Sequence, residues 1–175
     1  MKHIFLTGEI RIGKSTVIKK TLSLLGAKCG GFQTYFSENR LDDNRRLYIG
    51  EFGQLPSYDD EYVVARFQRG QAPCVLTERF DILGAQYILN AAKAADLIVM
   101  DELGKMERHA RRFQSAVLES IEGRLPVFGV IRNSAGGWLN QIRQNPGVTI
   151  ITVDEKNRDS LPELLARELS RLIKC

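Results

Sequence analysis

Apolar side chains follow two spacings along this 175-residue chain, and the alternation between them predicts its fold class. Short runs rich in β-branched residues end abruptly on a polar one: Ile4-Phe5-Leu6-Thr7 before Gly8, Leu97 to Met100 before Asp101, Val127 to Ile131 before Arg132, and Val148 to Val153 before Asp154. Such runs suit parallel strands covered on both faces, each handing a polar residue to one sheet edge. Between them the apolar spacing changes to three and four. Val17, Ile18, Leu22 and Leu25 mark a helix over Ser15 to Leu25, and Ile82, Leu83, Tyr87, Ile88 and Ala91 mark another over Asp81 to Ala95. Phe113, Val117, Leu118 and Ile121 mark a third helix, and Leu161, Leu164, Leu165, Leu169, Leu172 and Ile173 a C-terminal one. Strand and helix in alternation predict an α/β domain around a mostly parallel sheet.

From about residue 33 to 73 that rhythm breaks. The stretch from Phe32 to Cys74 holds eight of the fourteen aromatics, several short alternating runs and the turn-like Leu41-Asp42-Asp43-Asn44, which together predict an antiparallel hairpin insertion. Phe36, Tyr48 and Phe52 either pack it onto the sheet or form a stacking surface beside a ligand. No internal repeat or low-complexity linker divides residues 1–175, so one domain is expected.

Apolar residues at 43% and charged residues at 26% are those of a globular chain, which excludes a disordered or disulfide-dense scaffold. The net charge of +4 is spread along the sequence. It permits an anionic ligand but shows no basic stripe of the kind that tracks nucleic acid. No apolar run approaches the roughly 18 residues of a membrane span. Met1-Lys2-His3 leads into only three apolar residues, too few for the core of a secretion signal, so a cytoplasmic protein is expected. Cys29, Cys74 and Cys175 have no CxxC spacing and read as free thiols.

Chemistry enters at Gly8-Glu9-Ile10-Arg11-Ile12-Gly13-Lys14-Ser15, which fits G-x-x-x-x-G-K-[ST]. Residue frequencies alone would produce a match in roughly half a percent of chains this long. Here it also follows a strand and opens a helix, as a phosphate-binding loop must. Its N–H groups and the helix dipole then point at anionic oxygens, Lys14 adds a mobile charge and the Ser15 hydroxyl can join a Mg²⁺ shell. Leu97 to Met100 delivers Asp101 and Glu102 to the same sheet edge. Asp101 is placed to hold Mg²⁺, and Glu102 to polarise an attacking water as general base. If the strand continues, their side chains point to opposite faces. Arg132 and Arg158 follow strand ends on the ligand side and, with Arg40 and Arg46, are candidates to neutralise transferring charge. Asn157 sits where a base could be contacted, or caps the helix that follows. Neither His3 nor His109 has metal-ligand spacing. No nucleophile elbow is present, which disfavours covalent catalysis.

Asp101-Glu102-Leu103-Gly104-Lys105-Met106-Glu107, the phosphate loop, Gly31-Phe32-Gln33-Thr34 and Glu155-Lys156-Asn157-Arg158-Asp159 together resemble the THEP1 family of nucleoside-triphosphatases over nearly the whole chain. The resemblance implies a three-layer, RecA-like P-loop core with an inserted hairpin, and Mg²⁺-dependent hydrolysis of ATP, GTP and other nucleoside triphosphates. The expected nucleotide-binding set is Gly8, Glu9, Ile10, Arg11, Ile12, Gly13, Lys14, Ser15 and Thr16, then Asp101, Glu102, Leu103, Gly104 and Lys105, then Arg132, Asn157 and Arg158. Lys14 and Glu102 are the expected catalytic residues, and Ser15 and Asp101 the metal ligands. The chain departs from the family where Glu9, Ile10 and Arg11 replace the prolines and inner glycine of a G-P-P-G-V-G-K-T loop, and again after Phe32, at Tyr35-Phe36-Ser37-Glu38-Asn39-Arg40. Arg11 could reach a γ phosphate, or face solvent and pair with Glu9. A P-loop kinase and a slow nucleotide-dependent switch are the alternative activities. The expected partner is a nucleoside triphosphate, acting on a monomer with no membrane or nucleic acid involved.

Overall fold

The computed structural model describes residues 2–37, 44–133 and 137–174. Strands β1 (His3–Thr7), β2 (Cys29–Phe36), β3 (Arg46–Glu51), β4 (Val63–Arg66), β5 (Cys74–Val75), β6 (Leu97–Leu103), β7 (Val127–Ile131) and β8 (Val148–Thr152) form one sheet in the order β5-β4-β3-β2-β6-β7-β1-β8. From β2 to β8 all neighbours are parallel. From β2 outward to β5 they are antiparallel.

Alternation along the parallel strands sorts their side chains into two cores. Ile4, Leu6, Leu97, Val99, Phe128 and Val130 face α1 (Lys14–Leu25) and α6 (Leu161–Ile173), meeting Val17, Ile18, Leu165 and Leu169. Phe5, Ile98, Met100, Val127 and Ile131 face the opposite layer. There they meet α3 (Ala85–Ala94), α4 (Arg111–Glu122) and α5 (Leu139–Gln144) through Ile88, Phe113, Val117 and Ile142. The result is three layers with the sheet in the middle. Each fully buried Ile, Leu or Phe contributes roughly 1.5–3 kcal/mol. Phe113 anchors the second core, with Phe32, Phe80 and Trp138 packed edge-on around it.

The aromatic segment is antiparallel, as expected, and is part of the sheet. Its first residues belong to β2, which pairs with β6, and β3 to β5 extend the same sheet from there. Tyr48 is buried and Phe52 packs against the first core, while Phe36 stays exposed. The turn at 41–43 lies outside the described residues. β2 itself depends on Gly31 (φ 122°), where a Cβ would come within 2.1 Å of the Val99 carbonyl oxygen of β6. Helix entry also differs from the expectation at Asp81. A single turn α2 (Thr77–Arg79) leads through a wide π turn, Phe80–Gly84, into α3. Gly84 there lies against the Phe113 ring, 2.5 Å from where its Cβ would sit.

Candidate functional site

The carboxyl ends of β1, β6 and β7 open on one edge of the sheet, the position at which ligands bind in open α/β folds. β1 ends in the loop from Gly8 to Gly13. Gly8 (φ 134°) and Gly13 (φ 110°) take left-handed backbone, and a Cβ on Gly8 would lie 2.5 Å from the Val153 carbonyl oxygen, so glycine is required there. Arg11 also has a positive φ, 66°. Its side chain is exposed, as are those of Glu9 and Ile10, and among the described residues no ion pair joins Arg11 to Glu9. Ile12, Gly13, Ser15 and Thr16 continue the wall into α1. Lys14 lies across the loop, where Nζ donates to the carbonyl oxygens of Gly8 at 3.0 Å and Glu9 at 2.7 Å. The cation is thus held at the mouth of the loop.

β6 does not stop at Met100 as the sequence pattern suggests; it runs on to Leu103, shifting its register against β7 between Met100 and Leu103. Asp101 and Glu102 therefore belong to the strand, joined by a cis peptide bond. Asp101 is buried, and Ser15 Oγ donates to its Oδ1 at 3.4 Å. Thr34 Oγ1 of β2 donates to the Asp101 carbonyl oxygen at 3.2 Å, tying the strand ends together. Burial pushes the Asp101 carboxyl up to about 6, the charge of Glu102 adds to this, and the Ser15 hydroxyl, Lys19 and Lys14 oppose it. Glu102, half-buried, pairs with Nε of Arg132 at 3.4 Å. Both carboxylates open into one cleft with Ser15, and Glu102 also meets the cleft over the phosphate loop.

A hydroxyl beside a buried acid whose ionisation is disfavoured is a donor set suited to a hard divalent cation. Among the described residues no cluster of three or more acidic, histidine or cysteine side chains could hold a metal alone. The Ser15 hydroxyl and the Asp101 carboxylate are oxygen donors of the kind Mg²⁺ takes one or two of, its remaining shell being water and phosphate.

The turn after β6 is built on Glu107, whose role the sequence did not disclose although the residue stands in the Asp101 to Glu107 string. Its Oε2 accepts from the Gly104 N–H at 2.9 Å, and its carbonyl oxygen accepts from Gln114 Nε2 at 2.6 Å. Gly104 is in turn covered by the Arg132 stem, with Cδ 3.2 Å from where a Cβ would be. Burial raises the Glu107 carboxyl to about 7. Leu103 is buried behind this turn and Lys105 is exposed on it.

Arg158 flanks a second recess with Arg11, Thr16 and Lys20, and pairs loosely with Asp159 at 3.9 Å. Asn157 is neither a helix cap nor a free amide: Nδ2 donates to the Thr152 carbonyl oxygen at 2.8 Å and Oδ1 accepts from the Asp154 N–H at 3.0 Å. Ser160 occupies the cap position of α6 instead. Arg46 is drawn to Asp60, at 3.4 Å, and Arg40 lies outside the described residues. His3 is structural, its Nδ1 accepting from the Val127 N–H at 3.2 Å.

Glycine loop, lysine, hydroxyl and paired carboxylates on a three-layer parallel core define a P-loop NTPase. The NTPase family model matches residues 3–166. Nucleoside-triphosphatase THEP1 of Thermofilum pendens is 35% identical, over 98% of this chain and 97% of that protein, and its namesake in Methanosarcina acetivorans is 35% identical over 98% of both. The crystal structure of THEP1 from Aquifex aeolicus superposes with a TM-score of 0.76 at 25% identity, covering 97% of this chain and 99% of that one. A human cancer-related nucleoside triphosphatase shares the fold, with a TM-score of 0.69 at 23% identity over 97% of this chain and 98% of that one. This chain belongs to the THEP1 family of nucleoside-triphosphatases.

Proposed function

We propose that this protein hydrolyses nucleoside triphosphates, ATP and GTP among them, to the diphosphate and phosphate in a Mg²⁺-dependent reaction. The observation that carries the reading is the convergence of the Gly8–Thr16 loop with Asp101 and Glu102 at one sheet edge, joined by the Ser15–Asp101 hydrogen bond of 3.4 Å. Loop N–H groups and the α1 dipole take the phosphate oxygens. Lys14 exchanges its two carbonyl partners for the β and γ phosphates, and Ser15 and Asp101 hold Mg²⁺. The metal, when bound, neutralises charge on the phosphate oxygens. Glu102 accepts a proton from water as the water oxygen bonds to the γ phosphorus and the bond to the bridging oxygen breaks. Arg132 lies against Glu102 and is the arginine best placed to turn toward the transferring phosphoryl. Arg158, Thr16 and Lys20 border the recess open to the base. Asn157, with both ends of its amide engaged by backbone, shapes that loop without needing to touch the nucleotide.

We take the protein to act as a monomer, with nucleotide rather than nucleic acid as its partner. No helix among the described residues is long and apolar enough to cross a membrane, and we place the protein in the cytoplasm. The test is phosphate release from ATP, GTP, CTP and UTP with and without Mg²⁺, for the native chain and for Glu102→Gln. Release that needs Mg²⁺ and is lost in a variant that still binds nucleotide is the expected result. Release unaffected by Glu102→Gln would overturn the assignment of the base.

A further inference from the structure

The phosphate loop holds one residue in a conformation that suits glycine better. Arg11 has a φ of 66° at the position of the inner glycine in a G-P-P-G-V-G-K-T loop, and its side chain is exposed, with no carboxylate partner among the described residues. A residue with a Cβ is disfavoured in that region, and backbone held there clusters where side chains are used. Arg11 borders a recess that is lined by neither Asp101 nor Glu102. Ile12 and Val17 give the recess apolar surface, Thr16 brings it to the first turn of α1, and Lys20 and Arg158 add two more cations.

Arg158 is carried on a rigid turn after β8. The Asp154 carboxylate accepts from the Lys156 and Asn157 N–H groups at 2.8 and 2.9 Å, the Asn157 amide spans Thr152 and Asp154, and the Arg158 N–H donates to the Asp154 carbonyl oxygen at 3.1 Å. Its guanidinium stands 3.9 Å from Asp159, too long for a hydrogen bond, so the planar face stays free to stack. A guanidinium lies well on an aromatic ring because it is flat, weakly hydrated and attracted to the π electrons. Two of them beside apolar surface suit the faces of a nucleobase, and the contact grows with ring area.

We propose that Arg11 and Arg158 clamp the base of the nucleotide and make the protein selective for purine over pyrimidine nucleotides. The proposal rests on the nucleotide reading given above and concerns the end of the nucleotide that the phosphate loop does not hold. With the β and γ phosphates beside Lys14 and Glu102, the α phosphate falls at Thr16 and the ribose carries the base into the recess of Arg158. The two fused rings of a purine cover both guanidiniums; the single ring of a pyrimidine covers less of each.

Calorimetric titration of the full chain with Mg·ADP, Mg·GDP, Mg·CDP and Mg·UDP tests the clamp, because all four ligands share ribose and phosphates and differ only in the base. The native chain should bind the two purine diphosphates about 5-fold or more tightly than the two pyrimidine ones. Arg158→Ala and Arg11→Gly, the second placing there the residue that this backbone favours, should each bring the purine advantage toward one. Arg158→Lys, which keeps the charge and loses the planar group, should do the same while retaining affinity for the pyrimidine diphosphates. Equal binding of all four by the native chain, or a purine advantage that survives in Arg158→Ala or in Arg11→Gly, overturns the clamp. So does a loss shared equally by all four, which would make the arginines phosphate ligands. Each of these outcomes leaves the hydrolase reading standing. If no diphosphate binds and no triphosphate releases phosphate, the nucleotide reading itself is removed and the clamp with it.

Discussion

Glu107 is an acid sealed in the turn behind the paired carboxylates, and replacing it with glutamine should make the protein more stable at neutral and alkaline pH. Burial raises its carboxyl from the ordinary 4.5 to about 7, the nearby charge of Glu102 adding to the effect and the Gly104 N–H and Arg132 opposing it. Between those two values the unfolded chain has given up the proton while the folded one keeps it. Folding therefore grows less favourable as pH rises through that window, and the loss is complete above about 7. At ~1.4 kcal/mol per pH unit over which the two states differ by one proton, the total is on the order of 3 kcal/mol. Glutamine copies the neutral acid. Its amide oxygen can still accept from Gly104 and its NH₂ replaces the acid O–H, with no charge to bury. Urea unfolding of both proteins without nucleotide, from pH 4.5 to 8, should give nearly equal stabilities at the acid end. The variant should lead by a growing margin, levelling near 3 kcal/mol above pH 7. A margin that does not change with pH, or a variant less stable at pH 8, would refute the reasoning. It would show that hydrogen bonds and Arg132 compensate the ionised carboxylate in full.

Lys14→Ala removes the cation that spans Gly8 and Glu9, and steady-state phosphate release should fall by about 10²-fold or more, with nucleotide affinity falling alongside. Glu102→Gln should leave nucleotide binding within a few-fold of native by calorimetry while turnover drops by roughly 10²- to 10⁴-fold. Gly31→Ala puts a methyl group 2.1 Å from the Val99 carbonyl oxygen at a φ of 122°, and should destabilise by more than about 4 kcal/mol, read as loss of the urea transition or of soluble protein. Phe113→Ala opens a hole among Phe32, Phe80 and Trp138 and should cost about 3–5 kcal/mol in the same assay without displacing the phosphate loop.

Local rules made the parallel strands legible. β1, β7 and β8 lie where the apolar runs place them, because strands covered on both faces must be apolar throughout. The loop at Gly8 to Ser15 was equally plain, since a backbone nest and a lysine at fixed spacing are properties of contiguous residues. β2 was hidden. Cys29-Gly30-Gly31-Phe32 has no apolar run, and its glycines are explained only by β6 and α3 pressing against it, with Ala91 Cβ 3.0 Å from where the Gly30 Cβ would sit. The aromatic segment was legible as an antiparallel hairpin, but its joining to the parallel strands through β2 and β6 was not. Asn157 looked like a candidate cap of the last helix, but Ser160 holds that position, while the Asn157 amide bonds the Thr152 carbonyl and the Asp154 N–H, which nothing in its own sequence shows.

What the sequence determined by itself is therefore the class of fold, the family and the residues of the phosphate loop and carboxylate pair, all written in short contiguous strings. Tertiary structure decided which strand lies next to which, that Arg132 at the end of β7 meets Glu102 of the neighbouring β6, and that Glu107 is sealed in and props Gly104. Those features depend on contacts between residues far apart in the chain. Their free energies arise from burial and close approach, which take values only once the layers have packed.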